Sequence, residues 1–234
     1  MSSTNRANAQ AYSAEWETEP AVATPLFDWF EGWWNERYNR PPVILEPQAG
    51  NGNLLRAAAD RFPSTVARDA LIGVEFNPER AVKARLAVPD AVVFSDNMLT
   101  MKPYLFTDFA FGNPPYGMPT FDAEGNMRLN SKGKPILTDA VEAHVRAAMK
   151  WLRPGGILAY LLRNNWIVPQ ARDKLLAEFP LAAQAVVRPR PAFFEGDSGG
   201  KTDSVEYAWS IWRKPDGPVS PDRPDPILLH WTWR

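Results

Sequence analysis

Cysteine is absent from the 234 residues, which excludes disulfides and thiolate metal sites and fits a reducing, cytoplasmic setting. Histidine occurs only at His144 and His230, so an imidazole-built metal centre is not expected, and no metal is assigned. No apolar run reaches the ~20 residues of a membrane-crossing helix. The opening MSSTNRANAQ also lacks the apolar stretch of a secretory leader. Neither sign of charge dominates: 26 Lys and Arg stand against 27 Asp and Glu, a net charge of -1. Any contact with nucleic acid therefore has to be local rather than a global basic footprint. What the chain does have is 45% hydrophobic residues, enough for one substantial core.

Residues 1–20 are polar and then acidic (Glu15, Glu17, Glu19) and read as a disordered tail. ATPLFDWFEGWW follows, with Phe27, Phe30 and Trp34 at helical spacing. Strands and helices then alternate: PVILEPQ, NLLRAAADRF, ALIGVEF, PERAVKARLA, AVVFSD and FTDFAFGN. A polar stretch over 117–137 is long for a compact domain and reads as a functional hairpin loop. Thr138 is the expected N-cap of a helix whose buried stripe is Val141, Val145, Ala148, Met149 and Leu152. ILAYLLRN, the helix PQARDKLLAEF, and the strands AAQAVVRPR and SVEYAWSIWRK complete a domain over 21–214. A Pro/Asp linker and a terminal strand, ILLHWTWR, fill 215–234. Such alternation indicates an α/β domain with a largely parallel sheet.

In LEPQAGNGNLL, Gly50 and Gly52 fall between a strand and a helix, where doubly wound folds place a nucleotide-like ligand. Glycine there lets the backbone approach the ligand, although a tight turn alone would read the same way. Glu75 closes the next strand, about twenty residues on, as an acid that accepts from both ribose hydroxyls does. Asp96 closes the third strand, placed to accept from an adenine amino group. The third glycine of the dinucleotide pattern is missing, since Leu55 stands there.

Taken in order, EPQAGNGNLL, GVEFNP, SDNML and FGNPPYG resemble the class I S-adenosylmethionine-dependent methyltransferases, above all those acting on adenine N6 in DNA. The resemblance spans about residues 22–214 and implies a Rossmann-like fold. That fold is a seven-stranded, mostly parallel sheet with an antiparallel strand at its C-terminal end and helices on both faces. It implies S-adenosyl-L-methionine as cofactor, with Glu46, Ala49, Gly50 and Gly52 around its methionine part and Glu75 on the ribose. Phe76 would pack on the adenine, Asp96, with Asn97 beside it, would read the amino group, and Asn113 would also touch the cofactor. ATPLFDWF is similar to the Thr-Pro segment that precedes the fold in such enzymes, which adds Thr24 and Pro25.

Asn113-Pro114-Pro115-Tyr116 reads by itself as either a stiff turn or a catalytic clamp. A conjugated amine is a poor nucleophile because its lone pair is delocalised. Two acceptors aimed at its N–H bonds favour the reactive geometry. Asn113 Oδ1 supplies one and the Pro114 carbonyl the other, while Pro115 stiffens the loop and removes a competing donor. Tyr116 offers a face for a flat target, and a base in a duplex would have to be flipped out to reach it.

Arg128, Lys132 and Lys134 in the polar loop are expected to track phosphates. Phe193 and Phe194 stand where an aromatic contacts the flipped base in the resembling enzymes, or else belong to the core. DNA is thus the expected partner. The family's separate target-recognition domain has no counterpart here, so the loop, the tails or a protein partner must supply specificity. The resemblance leaves three alternatives: methylation of a protein glutamine amide, methylation of an RNA amine, and a non-catalytic cofactor-binding accessory subunit.

Overall fold

The computed structural model describes residues 16–119, 128–134, 136–191, 193–195, 198–201, 205–219 and 225–233. Short apolar runs form its central strands: β2 (Ile44–Glu46), β3 (Leu71–Glu75), β4 (Val92–Ser95), β5 (Thr107–Gly112) and β8 (Leu152–Arg163). Every residue of β2, β3 and β5 is buried, as parallel strands covered on both faces require. The sheet runs β4-β3-β2-β5-β8-β12-β9-β13, with β9 at Leu181–Arg188, β12 at Tyr207–Arg213 and β13 at Ile227–Thr232. The first five strands are parallel. β12 is antiparallel to both β8 and β9, and β13 lies parallel to β9 at the edge. The sheet therefore has eight strands where seven were expected, because ILLHWTWR joins it.

Alternate residues of each strand face opposite layers: Ile44 packs into one core cluster and Leu45 into the other. One cluster is covered by α1 (Thr24–Asn35), α2 (Asn53–Arg61), the single turn α3 (Pro63–Val66) and α4 (Pro78–Ala87). The other is covered by α5 (Val141–Trp151) and α6 (Asp173–Glu178). The apolar stripe of α1 is a ring ladder on β5. Phe30 stacks on Phe109 at 4.0 Å, and Phe27 meets Phe111 edge-on at 4.9 Å.

Three local expectations change. Trp16–Thr18, assigned above to the tail, forms β1 and pairs antiparallel with β10 (Phe193–Glu195), which in turn pairs with β11 (Ser198–Lys201). Residues 1–15 lie outside the described residues. Thr138 is not the cap of α5. It sits in β7 (Leu137–Asp139), paired with β6 (Gly117–Pro119), and Asp139 Oδ1 accepts from the Val141 N–H instead. Leu152 opens β8 rather than ending α5. Residues 120–127, the centre of the polar loop, are outside the described residues.

Candidate active site

The glycine turn, the two acids and the Asn-Pro-Pro-Tyr segment all lie at the carboxyl ends of neighbouring strands, the edge where open α/β sheets bind ligands. Gly50 and Gly52 both have positive φ, 57° and 91°. Gly52 is fixed by packing as well: a Cβ there would stand 3.0 Å from the Ala84 Cα of α4. α2 thus starts against α4 without intervening side-chain bulk. Glu75 bridges the two sides of the turn, accepting from the Gly50 N–H and the Asn77 N–H, each at 2.8 Å. The Asp96 N–H donates to the Glu75 carbonyl at 3.0 Å, so the acids of β3 and β4 are neighbours. Phe76 leaves 74% of its surface in solvent beside them. The Asp96 side chain is exposed, and the Asn97 side chain is spent on an Asx turn to the Leu99 N–H. Ala49 is buried beneath the turn.

Glu46 is buried, and its carboxyl is raised well above the usual range by desolvation first and by Glu75 second. Its Oε2 meets no donor among the described residues, nor do Gln48 Oε1 and Asn51 Oδ1, all shielded from water. Three orphan acceptors in six residues of one turn are costly to bury. Gln48 and His144 were not foreseen as partners. Gln48 Nε2 lies 2.8 Å from His144 Nδ1 on α5 and 3.4 Å from the Tyr160 hydroxyl on β8. Burial lowers His144 to about 4 and raises Tyr160, so both are neutral at neutral pH.

Asn113 is half-buried beyond the end of β5, and both ends of its amide are engaged. Nδ2 donates to Thr18 Oγ1 at 3.1 Å. The Tyr116 hydroxyl lies 2.8 Å from Asn113 Oδ1 and 2.9 Å from the Leu161 carbonyl, so its single proton serves one oxygen at a time. The Arg163 guanidinium stands 5.8 Å from the Tyr116 ring centre, and the ring packs against both core clusters while the hydroxyl reaches Asn113. Pro114 is buried and Pro115 half-buried. The side-chain amides of Asn51 and Asn53 both donate to the Glu17 carboxylate. Glu17 and Thr18 therefore tie β1 to the glycine turn and to Asn113.

The remaining sequence candidates fall elsewhere. Thr24 is exposed and Pro25 half-buried in the first turn of α1, and neither bonds to this cluster among the described contacts. The Thr that reaches the cluster is Thr18, six residues earlier. The backbones of Phe193 and Phe194 pair with Thr18 and Glu17 through β10, which brings that segment to the site. Arg128, Lys132 and Lys134 are exposed, in a turn closed by Asn130 Oδ1 accepting from the Lys132 and Lys134 N–H groups.

No protein-family model matches the chain. The fold is similar to that of a Listeria monocytogenes protein assigned to the class I S-adenosylmethionine-dependent methyltransferases (TM-score 0.63, 15% identity, 91% of this chain and 65% of that one). It is similar too to the methyltransferase subunit of a type I restriction-modification system from Streptococcus thermophilus (0.61, 18%, 86% and 45%). A third likeness is a Vibrio vulnificus protein assigned as a modification subunit of a type I restriction enzyme (0.57, 15%, 93% and 49%). The chain has the Rossmann-like methyltransferase fold, and it spans from under half to under two thirds of those three chains.

Proposed function

We propose that this chain transfers a methyl group from S-adenosyl-L-methionine to an exocyclic amine, adenine N6 in DNA. The observation that carries the reading is a turn of orphan acceptors beside a side-chain amide held at both ends. Glu46 Oε2, Gln48 Oε1 and Asn51 Oδ1 call for a donor-rich group such as an ammonium. Such a turn suits the amino end of an amino acid. Glu75 and Asp96 on the next two strands suit ribose hydroxyls and an adenine amine, with Phe76 as an apolar platform. When bound, the cofactor supplies an electrophilic methyl whose S–C bond breaks as the N–C bond forms, leaving a neutral thioether while the amine nitrogen gives a proton to solvent.

The chain's own residues do the rest. Asn113 Oδ1 and the Pro114 carbonyl accept from the two N–H bonds of the target amine and draw its lone pair out of conjugation. Pro114 and Pro115 hold that loop before the target arrives, so little order is lost on binding. Two of the similar folds belong to type I restriction systems, which favours DNA among amine-bearing polymers. Phosphate contacts then fall to Arg128, Lys132 and Lys134, base contacts to the 193–194 segment, and target selection to a protein partner.

The test offers methyl-labelled cofactor with duplex DNA, single-stranded DNA, ribosomal RNA and a glutamine-bearing protein acceptor, followed by digestion to nucleosides and amino acids. N6-methyladenine arising with DNA supports the reading. Label in protein glutamine, or in RNA alone, overturns the choice of DNA. Failure to bind cofactor overturns the reading altogether.

A further inference from the structure

Thr18 lies 95 residues from Asn113 in the sequence, yet its hydroxyl oxygen is 3.1 Å from Asn113 Nδ2. We propose that Thr18 is a positioning residue for Asn113, holding the far end of its amide so that Oδ1 stays turned toward the acceptor amine. The inference rests on the reading of Asn113 as the amine clamp.

The two ends of an amide are nearly equal in shape and opposite in hydrogen-bonding character. Only one end suits the target, because an amine N–H needs an acceptor and would be repelled by another N–H. Tyr116 holds the Oδ1 end at 2.8 Å, and one contact alone leaves the amide free to swing about it. Thr18 holds the Nδ2 end at 3.1 Å, so the two contacts together fix the amide plane and keep Oδ1 in place. A hydroxyl both donates and accepts, so Thr18 contributes the second anchor and not the polarity. Thr18 is only 5% exposed, so water does not readily replace the hydroxyl if it is removed. Its place is fixed on both flanks. The backbone of β1 pairs with β10, and the preceding Glu17 is held by Asn51 and Asn53. The same short strand thus spans the cofactor turn and the amine clamp.

Thr18→Val keeps the shape and removes the hydroxyl, leaving Nδ2 against a methyl group. Thr18→Ser keeps the hydroxyl and loses the methyl. Expected for Thr18→Val is a fall in kcat of about 10- to 100-fold, the scale of a small misplacement of a catalytic group, with the cofactor KM unchanged. Thr18→Ser is expected to restore most of the rate. A second readout needs neither cofactor nor turnover: hydrogen exchange of the Asn113 side-chain amide by NMR, faster in Thr18→Val than in the wild type. Thr18→Ala repeats both measurements if the valine variant does not fold. Wild-type kcat with unaltered amide exchange in the variants overturns the proposal. A wild-type protein that methylates nothing fails the functional reading instead, and the exchange measurement then still decides whether Thr18 holds Asn113.

Discussion

At the scale of single residues, the site separates into groups that set chemistry and groups that set charge. In the proposed reaction, Asn113→Ala removes the acceptor at the target nitrogen while leaving the glycine turn intact. Turnover is expected to fall by about 100-fold or more, with a much smaller loss in binding of S-adenosylhomocysteine by calorimetry. Glu46 and His144 give opposite pH signatures. The Glu46 carboxyl is raised, so the folded state holds its proton more tightly than the unfolded chain does. Its share of stability is full below the ordinary carboxylate range and is lost as pH rises through the raised value. His144 is lowered from 6.5 to about 4, so its share is full above 6.5 and is lost as pH falls toward 4. That loss is about 3 kcal/mol in order of magnitude. Thermal midpoints measured from pH 4 to 8 should therefore flatten on the acid side in His144→Phe and on the alkaline side in Glu46→Gln. Unchanged slopes in both variants would contradict these assignments.

At the scale of elements, α2 begins where it does because Gly52 alone fits. Gly52→Ala places a Cβ at positive φ and against the backbone of α4. A loss of roughly 2 kcal/mol is expected from urea unfolding, together with weaker cofactor binding. This is also the scale on which the sequence was most readable. Buried parallel strands announce themselves as short apolar runs, and ligand groups in such folds cluster at strand ends, so Gly50, Gly52, Glu75, Asp96 and Asn113 could be placed from spacing alone. Partners that arrive from a distant element carry no local signal. His144 looked like an isolated polar residue on a helix until the fold set Gln48, 96 residues away, against it. Thr18 sat in an acidic, low-hydropathy segment whose order comes from pairing with β10. Thr24 and Pro25 open α1, and neither bonds to the cluster among the described contacts.

At the scale of the whole molecule, the two ends of the sheet have separate duties. At the amino ends of the strands, Asp108 is almost fully buried and receives two bonds of 2.8 Å from Arg40, one of 3.4 Å from Arg153 and one of 2.8 Å from the Val43 N–H. Arg40 also lies over the Trp34 ring at 4.8 Å, which ties α1 to β5. Asp108→Ala is expected to cost about 3 kcal/mol, the low end for breaking a buried ion pair because both arginines still reach solvent. Activity per folded molecule should stay at the wild-type level in a combined unfolding and turnover assay.

The antiparallel pairing of β1 with β10 bears on how the protein is made. The Asn-Pro-Pro-Tyr segment and the strand that leads to it leave the ribosome well before residues 193–195 do. Until those residues emerge, β1 has no strand to pair with, and Thr18 keeps only one of its two flanking holds, through Glu17 on Asn51 and Asn53. Contacts between such distant segments form late, since the loop they close is long. The earliest-made piece of the site is thus the last to be seated.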